Sequence, residues 1–593
     1  MRHIIFLISA ILFSCQEGKV SKIQETGSEY LNHHDSVAYV GKEVCMTCHK
    51  EIYDSFIQTG MGLSFDHATK TKSVIDDNDN PLVFDKDKNL YYQPLWKNDS
   101  LYILEFRIEN KDTTHKLIQK IDFIIGSGHH TNSHLYSING YLHQAPYTFY
   151  TQKQQADLPP GYEDGNNSRF SREIGLECMS CHNAYPNHQE NTINKYNSMP
   201  NGIDCERCHG PGEIHVQQKR KGVVIENDKI DYSIVNPSKL SNDLQFDICS
   251  RCHLQGISIL REGKDWDDFY PGTKLKNTME IFLPKYEDGQ TFIMASHVER
   301  LQQTSCYTKG GVTCITCHAP HKSVTRLSNN YFNNKCLDCH KVCEDNKEYN
   351  NCISCHMPKS SSSDIPHVSI TDHKISVHNQ TQLTSGKFMG LICINNENPS
   401  SLSKAKAYIK YYESFDPISS YLDSAETYLK KCNSEESFPL YIQYWYLKKE
   451  YIKLIKHVEN GDLDKYIKIL TVNELSFNYS RIAEAYNKYD FIEDAYYYYL
   501  KAIEISPDNL DFLLKTSILE IKMSKFDLAK KRLEKIIMLN PNFEKAYFNL
   551  GSILMNIYKE YDKASECFNK ALKLDPDYQE AKDNLKHLNS IYE

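Results

Sequence analysis

The chain has 593 residues, room for about four domains of ~150 residues, and sets 68 Lys+Arg against 77 Asp+Glu for a formal charge of −9. Nothing here offers the basic excess that nucleic acid demands, while 40% hydrophobic and 24% charged residues suit a folded protein. Mean hydropathy is −0.57, and no apolar run reaches the ~18 residues of a membrane-spanning helix. Cysteine is the outlier. Twenty Cys and 25 His would form Cys-x-x-Cys-His roughly 0.03 times by chance, and the chain contains it seven times.

At the amino terminus, Met1 to Ser14 reads as a positive start (Arg2), a short apolar stretch (Ile4 to Phe13) and a small residue before Cys15, an export signal. Leu12-Phe13-Ser14-Cys15 resembles a bacterial lipobox, although Phe13 is bulkier than the usual residue. The resemblance implies cleavage before Cys15 and diacylglycerol on its sulfur, and two or more acyl chains give stable anchoring. A bacterial cell-envelope protein facing the periplasm, or on the outer membrane, is expected. Residues 15–38 are polar and read as a tether.

A multihaem region is expected at 39–385. Its motifs are Cys45/Cys48/His49, Cys178/Cys181/His182, Cys205/Cys208/His209, Cys249/Cys252/His253, Cys314/Cys317/His318, Cys336/Cys339/His340 and Cys352/Cys355/His356, taking 14 of the 20 cysteines. Two thiols one helical turn apart bond the two vinyl groups of one haem, and the adjoining His is the proximal iron ligand. Zinc is the competing reading. Zinc pairs do not require a His after every second Cys, and seven pairs do not divide into two-pair sites. Seven covalent haem c groups are therefore expected. Cys306 and Cys343 flank motifs five and six, and are either a disulfide or two free thiols.

Six motifs share 179 residues, about 30 each, so the porphyrins themselves would form the core. The first motif stands apart. Between it and the second, Pro81–Phe84, Leu101–Ile108 and Lys116–Ile125 read as short strands of an antiparallel meander, a β insertion at about 71–125.

The stretches YVGKEVCMTCHKEIYDSFIQTGMGLSF, IDFIIGSGHHTNSHLYSINGYLHQAPYTFY, FSREIGLECMSCHNAYP, CERCHGPGEIH, CITCHAPH and CISCHMPKSSSSDIPHVSITDHKI resemble bacterial multihaem cytochromes c with a TPR tail. More distantly they are similar to the tetrahaem cytochrome and hydroxylamine oxidoreductase-like group. In such proteins His at comparable places ligates a neighbouring haem, which implies His215, His297, His321, His367 and His373 as distal ligands. His130 is the choice from His129, His130 and His134. Met61, in TGMGLSF, is the candidate for the first iron, which thioether sulfur would raise in potential.

Residues 386–475 read as helical, with one degenerate repeat, after a polar boundary at Asn395–Ser403. Beyond them Pro507, Pro541 and Pro576 recur at 34 and 35 residues. Ala495, Ala529 and Ala564, then Tyr499, Leu533 and Phe568, then Ala502, Ile536 and Ala571, follow in phase. The period resembles tetratricopeptide repeats at 476–509, 510–543 and 544–578, with a capping helix at 579–593. The fold expected is mainly α: a haem-packed domain with a small antiparallel β insertion, then an α-solenoid whose groove docks a redox protein partner. Electron transfer is favoured over the alternative, an oxidoreductase acting on a small nitrogen or sulfur compound at one open haem.

Overall fold

The computed structural model describes residues 29–75, 81–287, 293–341, 351–376, 386–415 and 417–592. The export signal, Cys15 and Cys343 lie outside these residues. No helix among the described residues is long and apolar enough to cross a membrane.

The β region is larger than expected. A four-stranded antiparallel sheet joins Val83–Asp85, Leu90–Lys97, Ser100–Glu109 and Asp112–Lys120 in chain order. A second, six-stranded antiparallel sheet runs through Phe65–His67, Phe123–Ile125, Thr131–Ile138, Tyr141–Tyr150 and Arg172–Glu173, with Gln155–Asp157 also on Tyr141–Tyr150. Val83, Leu90, Tyr92, Leu101 and Ile103 of one sheet share a core with Ile124, Tyr136, Tyr147 and Phe149 of the other. The expected insertion at 71–125 is thus corrected to a two-sheet unit reaching Glu173, and "mainly α" holds only from Ser401 onward, since three smaller sheets lie between Asn187 and Cys393.

Two physical causes hid these strands. Every residue of Tyr141–Tyr150 is buried, because its second face packs on Phe65, Met179 and Tyr196, so no polar face alternates with an apolar one. Pro94 interrupts Leu90–Lys97, a residue that argues against a central strand. It is tolerated because Val83–Asp85 pairs only as far as Tyr92, leaving Pro94 with a neighbour on one side.

After residue 386 the strand Phe388–Cys393 returns to pair with Met279–Tyr286, which also pairs with Ile257–Leu260. Helices then follow in pairs: Ser401–Ser414 with Ser419–Leu429, Ser434–Leu447 with Tyr451–Glu459, Val472–Asn487 with Ile492–Ile505, Leu510–Lys522 with Phe526–Leu539, and Glu544–Ile553 with Tyr561–Leu574. Gln579–Tyr592 ends the run. The in-phase positions Ala495, Tyr499, Ala502, Ala529, Leu533, Ile536, Ala564, Phe568 and Ala571 are all buried, where small side chains let paired helices approach.

The repeats are fastened to the β region by their connecting turns. Arg107 donates to both oxygens of Asp577 at 2.7 and 2.6 Å, and Asn139 donates to the carbonyls of Met538 and Leu539. Tyr141 packs into the core of Leu513, Leu514 and Leu539. Behind this seam, the fully buried Glu105 accepts from His115 at 2.8 Å and from Arg169, whose guanidinium also lies 3.6 Å from Asp575. Burial alone would push the Glu105 carboxyl up, but Arg169 and His115 outweigh it and hold it below its ordinary range. The sign follows: its contribution is complete above about pH 4.3, the ordinary glutamate value, and is lost as pH falls through the lower folded value. Glu105→Gln leaves Arg169 without its buried counter-charge and is expected to destabilise by about 3–5 kcal/mol. Urea unfolding at pH 7 measures this, and the deficit should shrink as both proteins are acidified below pH 4.

Candidate functional site

Most of the motifs sit on short helical segments: Lys42–Phe56, Leu176–His182, Glu206–His209, Asn242–His253, Cys314–Cys317, Asn329–Leu337 (which carries Cys336) and Cys352–His356. One helical turn carries both sulfurs of a pair to the same side. The first helix is broken at His49, whose backbone is non-helical. The third ends at Gly210, left-handed at φ 75°, where a Cβ would meet Asn32 Nδ2 at 2.7 Å.

All 21 cysteines and histidines of the seven motifs line one continuous cavity of about 3380 Å³. Shared seven ways this is about 480 Å³ each, within the ~300–1,000 Å³ that one bound small molecule or cofactor occupies. Segments distant in sequence build its walls. Glu206, inside the third motif, accepts from the N–H groups of Val40 (2.9 Å), Gly41 (2.7 Å) and Gly212 (2.8 Å), tying it to the start of the first motif's helix. Arg207 pairs with Asp267 at 2.8 Å and covers the Tyr185 ring. Met179, in the second motif, is fully buried against the six-stranded sheet.

Several buried cavity imidazoles are pushed toward the neutral form that a ligand needs. Burial pushes His182 down to about 4. His297 is pushed to about 2 by burial, then by His373 and His253, and His373 to about 4 by burial, then by His318. Several show one nitrogen to a hydrogen-bond acceptor and keep the other for the cavity, the arrangement metal-ligating histidines adopt. His209 Nδ1 meets the Val235 carbonyl at 2.8 Å, His356 Nδ1 that of Ser376 at 3.2 Å, and His373 Nδ1 that of Thr371 at 3.0 Å. His215 Nδ1 lies 3.0 Å from Ser233 Oγ. A c-type haem fits this donor set: thiol pairs on one turn, an adjoining neutral imidazole and one shared apolar chamber. Among the described residues no three His, Cys, Asp or Glu side chains converge as a zinc site needs.

Of the expected distal ligands, Met61, His130, His215, His297, His321 and His373 line the cavity, and His367 does not. His367 Nε2 bonds Asp157 at 2.7 Å and Nδ1 bonds Gln155 at 3.1 Å, so both nitrogens are occupied beside Tyr150. His130 is constrained too. Gln152 is locked onto the backbone of Ser369 through both amide atoms, so its N–H is what meets His130 Nδ1 at 2.8 Å, which puts the ring proton on Nε2. Its neighbour His129, passed over in the sequence, also lines the cavity, with Nδ1 close to Gly60. Both belong to the GSGHHTN turn between two strands. His134 is fully buried with Nδ1 on the Tyr147 carbonyl. Met61 is fixed by its carbonyl, which accepts from Ile203 N–H at 3.1 Å next to the third motif. His215, whose helix is tied at Glu213 to Ala38, lies close enough to His49 to feel its charge.

The fold and cavity define a cytochrome-like domain that carries haem c, followed by tetratricopeptide repeats. Residues 141–210 match the family of cytochrome c554 and c-prime, a stretch holding motifs two and three. Residues 544–578 match the tetratricopeptide repeat family, with the bounds the proline period predicts. The chain is 33% identical over 93 residues to Hsp70-Hsp90 organizing protein 3 of Arabidopsis thaliana, 16% of each chain. It is likewise 33% identical over 81 residues to tetratricopeptide repeat protein 6 of Homo sapiens, 14% of this chain and 15% of that one. It thus spans about a sixth of the length of these curated relatives. Similar solved structures include the first TPR of Spaghetti (RPAP3) bound to an HSP90 peptide, at 20% identity, 20% of this chain, 92% of that one and a TM-score of 0.19. MamA MSR-1 C2 is similar at 21% identity, 26% of this chain, 85% of that one and a TM-score of 0.23.

Proposed function

We propose that this chain is a bacterial cell-envelope cytochrome with seven covalent haem c groups, anchored by lipid at Cys15, that carries electrons to or from a redox protein docked on its repeats. The observation that carries this reading is the single chamber lined by every motif cysteine and histidine. Each c-type haem supplies a one-electron iron couple, and seven within one chamber form a continuous conducting path. The chain's own residues would attach, orient and shield: the thiols would hold each ring, the imidazoles would supply nitrogen ligands, and the β region would cover one side. The inter-repeat turns face the β region, while Tyr497, Leu500, Leu528 and Met538 remain exposed on the repeats for a partner. Intact mass of the mature protein tests the reading: seven covalent haems and an acylated Cys15 are expected, and haem that extracts into acid acetone overturns it.

The first motif's iron has two candidate partners, Met61 and His215. Thioether ligation predicts a potential above that of bis-His neighbours. Met61→Ala should then create a high-spin ferric signal and remove the highest-potential step of a redox titration. An unchanged spectrum removes Met61 and leaves the imidazoles near His49, His215 first among them.

A further inference from the structure

The imidazoles in the chamber are arranged in pairs, and the pairs say which histidine serves which motif. Two imidazoles bonded at about 2 Å to opposite sides of one metal hold their ring centres about 6 Å apart. Unmediated ring contacts between facing or edge-on rings favour shorter separations, from ~4.5 Å upward. His209 of the third motif and His321 stand 6.1 Å apart with planes 11° from parallel. His318 of the fifth motif and His373 stand 6.1 Å apart at 28°. His297 lies 4.8 Å from His373, too near to face it across a shared metal, and 5.3 Å from His253 of the fourth motif at 87°. Both separations fall short of the ~6 Å spacing, so His297 is assigned to neither.

We infer that His321 is the distal ligand of the third motif's iron and His373 of the fifth's, an assignment that rests on the haem reading above. The anchoring agrees. His209 and His373 each present Nδ1 to a backbone carbonyl, leaving Nε2 and its lone pair for the metal. His321 is held from behind: its carbonyl accepts from Ser55 Oγ at 2.7 Å and Phe56 meets its ring edge-on at 6.3 Å.

The pairing has an architectural consequence. His318 and His321 are three residues apart, so the segment Cys314–His321 supplies the proximal ligand of one iron and the distal ligand of another. Motifs three and five are thereby locked together by a single turn of backbone. Two irons are thus joined as one rigid pair within the chamber.

The test uses the full-length protein with single replacements, read by intact mass and by electron paramagnetic resonance of the ferric state. His321→Ala should leave the haem count unchanged and convert one low-spin haem to high spin. Near-coplanar axial imidazoles give a rhombic low-spin signal and perpendicular ones a strongly anisotropic signal. His321→Ala should therefore remove a rhombic component, as the 11° between the His209 and His321 planes requires, and His373→Ala a second one. Loss of a strongly anisotropic component from the His321→Ala protein means that His321 serves another iron and overturns the pairing. Should alanine variants fail to accumulate, His321→Met keeps the iron six-coordinate and should raise one potential, an outcome only a ligand gives. Unchanged potentials and spin states overturn the pairing, whereas absence of covalent haem in the parent protein overturns the cytochrome reading instead.

Discussion

Cutting the chain after Ser400 is expected to abolish the folded haem region, whereas cutting after Ser506 should spare it. The difference lies in what each cut exposes. The helices Ser401–Ser414, Ser419–Leu429 and Ser434–Leu447 cover Ile257, Ile259 and Phe282, which share a core with Ala405, Tyr408, Ile409 and Tyr444. Uncovering three such side chains costs about 5–9 kcal/mol at ~1.5–3 kcal/mol each, comparable with the whole stability of a domain at about 5–15 kcal/mol. Lys410 also bonds Glu177 at 2.8 Å, directly before Cys178. Cutting after Ser506 uncovers mainly Tyr141 and deprives Arg107 and Arg169 of Asp577 and Asp575. The shorter truncation should keep the visible spectrum and haem mass but accept electrons from its partner more slowly, since two repeats and the last helix are gone. Visible spectra, mass and reduction kinetics of the two proteins decide it. Full haem content after the Ser400 cut would show the first helices to be dispensable.

The uneven legibility of this chain has a physical source. Covalent attachment of haem demands both thiols and the imidazole within five consecutive residues, so all seven motifs are readable without any knowledge of the fold. The repeats are readable because stacking repeats the same burial every 34 residues. Distal ligands obey no such local rule. His367 and His373 sit six residues apart in one segment, yet one is bonded on both nitrogens by Asp157 and Gln155 while the other faces His318. His129 and His130 are adjacent in one turn and both line the cavity, yet only His130 meets Gln152. Strand Tyr141–Tyr150 was hidden by burial on both faces, and its contact with Leu513 spans more than half the chain. Such features are set by tertiary packing, which a local pattern does not encode.

Removing the third motif's attachment, by replacing Cys205 and Cys208 with Ala, should have an effect far larger than the loss of one haem. That motif is where the walls of the chamber meet. Glu206 holds Val40, Gly41 and Gly212; Arg207 holds Asp267; the His209 carbonyl accepts from Asn32 Nδ2 at 3.0 Å; and Cys208 packs against the core of Phe246 and Leu275. A share of about 480 Å³ left empty would destabilise by about 10 kcal/mol if none of it collapsed, at ~24 cal/mol per Å³. Flooding or collapse lowers that figure, yet half of it is still comparable with a domain's net stability. The sixth motif makes the control. Cys339 and His340 are exposed there, and the segment meets only the adjoining motifs among those described, through Phe332 on His318 and Asn333 on the Cys352 N–H. Cys336 and Cys339 changed to Ala should therefore give a stable protein one haem lighter by intact mass. The third-motif variant should fail to accumulate, seen as loss of the band on a haem-stained gel and of the chain by immunoblot. A stable six-haem protein from the third-motif change would mean that side-chain packing, not the ring it holds, is the core at that point.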